Sequence, residues 1–124
     1  MSGLGDDIAG GRDGINRLQS RGAFPTAILC ENDWIAIGAM EAVQKARVRV
    51  PQDVSVVGYG DLWICKQLDP PLTSITCAED ELVAKAIDLL LEQLEAGRAF
   101  QPKQLFVAGE MVWRQSAGPA AERQ

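Results

Sequence analysis

Two short apolar runs, Thr26-Ala-Ile-Leu-Cys30 and Val54-Ser-Val-Val-Gly58, most constrain the fold of this chain. Each is too short for a helix, is apolar on successive residues, and ends on polar or acidic residues. That is how strands of a parallel sheet read when both faces are covered. Between them, Trp34–Ala46 places Ala36, Ala39, Met40 and Val43 at helical spacing, with Asn32 or Asp33 as its cap. A preceding helix is predicted over Ile8–Leu18, started by Asp6 or Asp7. Helix–strand–helix–strand order specifies an α/β domain with a mainly parallel sheet, a three-layer sandwich.

Further along, Tyr59–Asp69 reads as loop or short helix, and Leu72–Thr76 as extended chain after Pro70-Pro71. Thr76-x-x-Glu79 has the form of a capping box, opening a helix to about Ala96 with Gly97 as its stop. Gln104–Ala108 and Glu110–Arg114 read as strands. Ala117–Gln124 reads as a frayed tail.

Composition removes several functions. There is no His among the 124 residues, so no Ser-His-Asp triad and no His-ligated zinc can form. Cys30, Cys65 and Cys77 are too widely spaced for a zinc or redox pair and read as reduced, mostly buried thiols. No metal and no cofactor is expected. The net charge is −5, with 12 basic and 17 acidic side chains and no basic block, which argues against DNA contact by these residues. No apolar run has the length of a membrane span, and the first residues lack the layout of an export signal. Both point to a cytoplasmic protein.

In open parallel sheets ligands bind beyond the carboxyl ends of the strands. Cys30-Glu-Asn-Asp33 and Gly58-Tyr-Gly-Asp61 fall there, and carboxylates with an amide suit hydroxyl-rich ligands. Trp34 and Trp63 lie beside this rim and could stack on sugar faces, whereas Trp113 reads as packing. Cap and turn roles compete for Asp33 and Asp61. Gly58-Tyr-Gly60 begins like a dinucleotide fingerprint, but Trp63 stands at the third glycine position.

Five stretches in order carry a resemblance: Pro25–Asp33, Ala36–Met40, Val50–Tyr59, Pro70–Ile75 and Glu110–Ser116. Over about Gly5–Ser116 the chain resembles the C-terminal part of the effector-binding domain of the lactose/galactose repressor (LacI/GalR) family. The resemblance implies a periplasmic-binding-protein-like fold, here the C-terminal lobe plus a crossover helix over residues 1–116, with residues 117–124 as a flexible tail. It implies a sugar-like effector, a homodimer, and DNA binding through an N-terminal helix-turn-helix domain that these residues do not include. It matches Asn32 and Asp61 to effector contacts; with Trp34, Tyr59 and Trp63 they form the candidate effector site. It matches Ile37, Met40 and Leu68 to the dimer interface.

The sequence departs from the family pattern at Gly60, where an acid is usual, and at Arg47, where Gly usually follows the helix. A left-handed Arg47 would cost about 1 kcal/mol. A sugar-binding protein of an uptake system is the alternative function; a small enzyme using Asp33 and Asp61 ranks behind it. The helix from Glu79 has an apolar face wider than one stripe. In the family it packs on the other lobe, and left bare its larger side chains would each forgo about 1.5–3 kcal/mol of burial. Self-association of the isolated chain is therefore expected.

Overall fold

The computed structural model describes residues 7–22 and 24–120. Helix α1 (Ile8–Ser20) starts at Asp7, whose carboxylate accepts the Gly10 N–H at 2.9 Å; Asp6 lies outside the described residues. Strand β1 (Ala27–Leu29) is followed by α2 (Asp33–Lys45), capped by Asn32, whose Oδ1 accepts the Ile35 N–H at 2.9 Å. Strand β2 (Ser55–Gly60) leads through a 3-10 turn (Trp63–Gln67) to β3 (Thr73–Thr76). Helix α3 (Glu79–Ala96), a second 3-10 turn (Gly97–Ala99) and the two-residue β4 (Met111–Val112) complete the order.

The sheet runs β1-β2-β3-β4, with the first three strands parallel and β4 antiparallel to β3. The α/β fold with a mainly parallel sheet thus follows the expectation. Val54, Val56 and Leu72 from the sheet side meet Ile15 of α1 and Ala36, Met40 and Val43 of α2 in one core. β1 departs from the expected buried strand: Ala27 and Leu29 are exposed, Leu29 to 71%, while Ile28 packs on the core, the alternation of a strand covered on one face only.

Helices α1 and α2 cross at van der Waals range of their backbones. A Cβ on Gly11 would lie 2.1 Å from the Ile35 carbonyl oxygen, and one on Gly38 would lie 1.9 Å from that of Ile8. The two glycines therefore set the interhelical distance, and no side chain fits at either position. Past the end of α2, Arg47 has φ +59°, so the strain inferred at this position is present.

Three sequence expectations change. Thr76 caps no helix: it ends β3, its hydroxyl accepts the Glu110 N–H at 2.9 Å, and the residue before α3 is Ala78 at φ +46°. Pairing with the returning chain takes the hydroxyl that a capping box would need. Gln104–Ala108 is not a strand, since only Met111 and Val112 lie in register with β3. The expected tail is anchored beyond Ser116, with Gly118 donating to the Ser55 hydroxyl at 3.1 Å; residues 121–124 lie outside the described residues.

Gly97 does end α3, at φ +54°. None of the residues of α3 is buried.

Replacing Gly38 by Ala should destabilise the lobe by about 1–3 kcal/mol, read as a lower urea midpoint, because backbone rather than a movable side chain blocks the methyl. Arg47→Gly should raise the stability read from the urea midpoint by no more than about 0.5 kcal/mol, once the greater unfolded-state freedom of glycine is set against the relieved strain.

Candidate functional site

The carboxyl ends of β1 and β2 are tied together by one buried carboxylate. Asp33, the first residue of α2, is fully buried. Its Oδ2 accepts the Leu62 N–H at 2.7 Å, and its Oδ1 accepts the Ser74 hydroxyl at 2.6 Å. The Ser74 oxygen in turn accepts the Asp61 N–H at 3.1 Å. A Cβ on Gly58 would sit 2.2 Å from Asp33 Oδ1, so the strand needs glycine there to admit the carboxylate. Asp33 is thus neither the helix cap, which is Asn32, nor an exposed acid. It fastens α2, the loop after β2 and β3 to one another.

That fastening shapes the turn carrying Asp61. Gly60 has φ +118° and Asp61 φ +51°. The first value is one that side-chain-bearing residues rarely adopt, which gives a backbone reason for glycine where the family has an acid. The Asp61 carboxylate pairs with Arg114, Oδ1 to Nη2 at 2.7 Å, in a setting where the Arg114 side chain is 10% exposed. Oδ1 is sealed from solvent and held by charge, without an aligned hydrogen bond. Arg114 also donates to the Leu72 carbonyl at 2.8 Å. Asp61 therefore stands at the rim with much of its charge already answered.

The other candidates are more open. Trp34 in the first turn of α2 and Tyr59 near the end of β2 are each somewhat under half exposed, and Trp63 at the start of the 3-10 turn is 67% exposed. Asn32 is half-buried, with its side-chain oxygen engaged in the cap. All five candidates thus follow the carboxyl ends of β1 and β2 or lie in their last residues. Tyr59 neighbours the Cys77 thiol, which raises the phenol's pKa above its ordinary value.

Ile37 and Met40 are buried within a single copy, Met40 in the core cluster, and Leu68 is half-buried against that cluster. Packing inside the lobe uses most of the surface that a dimer contact through these three would require. Sequence reasoning assigned no role to Arg114 or Ser74; both stand in stretches that carry the resemblance, but only the fold brings Arg114 to Asp61 and Ser74 to Asp33.

The cysteines are free thiols. Burial and then the charge of Asp33 push Cys30 up to about 11, and burial with a hydrogen bond to Asp33 pushes Cys65 up to about 12. Both therefore remain thiols at neutral pH and are poor nucleophiles. Among the described residues no group of three or more His, Cys, Asp or Glu could hold a metal ion.

At pH 8 an aromatic disulfide reagent should titrate the half-buried Cys77 in the folded chain, with Cys30 and Cys65 following only on unfolding. Asp33→Ala should cost about 3–5 kcal/mol in denaturant unfolding, since it strands the buried Ser74 hydroxyl and Leu62 N–H together.

Residues 5–117 match the family model described as periplasmic binding protein-like domain. The ribose operon repressor of Haemophilus influenzae is 39% identical over 89 residues, covering 72% of this chain and 27% of that protein. The HTH-type transcriptional repressor PurR of Actinobacillus pleuropneumoniae is 35% identical over 107 residues, covering 86% of this chain and 32% of that repressor. Among solved structures, a sugar-binding transcriptional regulator of the LacI family from Escherichia coli, complexed with phosphate, superposes with a TM-score of 0.77. It is 35% identical, over 91% of this chain and 40% of its own. The lac repressor dimer bound to operator and an anti-inducer gives 0.78 at 35% identity, over 90% and 38%. The chain spans about a third or less of these curated relatives. It belongs to the periplasmic-binding-protein-like family and shares the fold of LacI-type transcription regulators.

Proposed function

We propose that the chain is the effector-sensing and dimerising segment of a LacI-type DNA-binding repressor that responds to a small polar ligand such as a sugar. The observation that carries this reading is the rim itself: Asn32, Trp34, Tyr59, Asp61 and Trp63 gather at the carboxyl ends of two adjacent parallel strands, where such sheets take ligands. The relatives' names support repression over sugar uptake.

Each residue has a role in that reading. Asn32 and Asp61 orient hydroxyls, while Trp34, Tyr59 and Trp63 offer ring faces to the apolar side of a pyranose or furanose. The chemistry is binding alone, with no catalytic residue and no cofactor. DNA contact falls to a helix-turn-helix domain outside these residues, consistent with their net charge of −5. The protein acts in the cytoplasm.

Titration of the isotopically labelled chain with ribose and other monosaccharides tests the assignment. Amide and indole shifts should concentrate on Asn32, Trp34, Tyr59, Asp61 and Trp63. Trp63→Ala should weaken the response about three- to tenfold, the worth of one stacked ring, without lowering the unfolding midpoint. Shifts spread evenly over the chain, or none at any sugar concentration, would count against the site.

A further inference from the structure

At the amino ends of the strands, away from the candidate site, α1 and α2 finish side by side. They run in the same sense: Arg12 pairs with Glu41, and a hollow further on is lined by Asn16 and Gln19 of α1 and by Lys45 and Ala46 at the end of α2. Six cations pair with no acid among the described residues, and four of them stand at this end: Arg17, Arg21, Lys45 and Arg47. All four are exposed. Of the acids nearby, Asp53 is held by Arg49, Asp69 lies past the Gln44 side chain, and Asp13 stands a turn before Arg17. Helix dipoles account for Arg17 and Lys45, each in a last turn. They do not account for Arg47. It lies past its helix at φ +59°, where glycine would sit without strain. A strained residue standing where an easier one exists points to a use for its side chain.

We propose that this pole of the lobe is a docking surface for a short acidic segment of a partner protein, with Arg47 as one anchor. The resemblance puts the other lobe across the crossover into α3, which leaves β3 at its carboxyl end; the amino ends face away from it. Charge selects the occupant. Guanidinium groups take carboxylates through two parallel bonds, the geometry that makes arginine clusters readers of acidic motifs. A nucleic-acid duplex or an anionic bilayer spreads its charge beyond the screening length, about 8–10 Å at ordinary salt. Either would also meet the acidic surplus of a chain whose net charge is −5. A short run of Asp or Glu meets the four cations alone.

Fluorescence anisotropy with a labelled peptide of about ten glutamates, on the full chain at about 0.05 M salt, tests this. Binding should saturate, and should fade as salt is raised. Arg47→Gly should weaken it about two- to fivefold, the worth of one exposed ion pair, while the unfolding midpoint does not fall. Arg17→Gln should weaken it likewise. Arg98→Gln, which removes an unpaired cation beyond α3, should leave it unchanged. No binding to the peptide would overturn the proposal. So would binding that ignores salt, binding that survives Arg47→Gly intact, or equal weakening by Arg98→Gln. Tighter binding to a duplex DNA or to phosphatidylserine vesicles than to the peptide would overturn it as well.

Discussion

The carboxylate of Asp33 is the constraint on which the rest of the lobe depends. A fully buried acid is tolerable only when it is well supplied with donors. Here the donors come from the loop after β2 and from β3, with the Cys65 thiol adding another. The same bonds that make burial tolerable fix the start of α2 against two strands. They also decide which residue follows β2. With Gly58 vacating space for the carboxylate and Leu62 N–H drawn toward it, the intervening backbone turns through two positive-φ residues, Gly60 and Asp61. The candidate site is thus a by-product of how the core accommodates one charge.

A second polar system runs deeper into the sheet. The Ser116 hydroxyl donates to the Val56 carbonyl at 2.6 Å and accepts the Thr73 N–H at 2.8 Å, while Thr73 Oγ1 accepts the Arg114 N–H. The chain's return segment is therefore held to β2 and β3 by side chains as much as by the short β4 ladder. This explains why Glu110–Ser116 belongs to the lobe although only two of its residues are regular strand. It also brings the Arg114 guanidinium up to Asp61, so the rim's charge is set by a residue far away in sequence.

Much of this architecture was legible in the sequence. The order of elements up to α3, a mainly parallel sheet and a cap at Asn32 or Asp33 follow from apolar runs, helical spacing and cap chemistry. The strain at Arg47 was readable through the resemblance, since the family pattern has Gly where Arg47 stands. What was not legible depends on distant partners. Thr76 carries a sound capping-box pattern, yet Glu110, 34 residues away, claims its hydroxyl. Gln104–Ala108 has strand composition but no strand beside it. Asp33 looked like a cap because nothing local announces that Leu62 and Ser74 will enclose it. At the site, the type of each residue was readable, whereas the neutralisation of Asp61 was not, since it required the register of β3 against β4.

The glycine crossing of α1 and α2 has a mechanical consequence. With Gly11 and Gly38 bringing backbone against backbone, there is no layer of side chains between the helices to deform and absorb displacement. The ion pair from Arg12 to Glu41 bridges the same pair of helices. The two then behave as one stiff lever whose short arm is the start of α2, where Asn32 and Trp34 sit. A displacement at the start of α2 would therefore reach α1 with little taken up between the two helices.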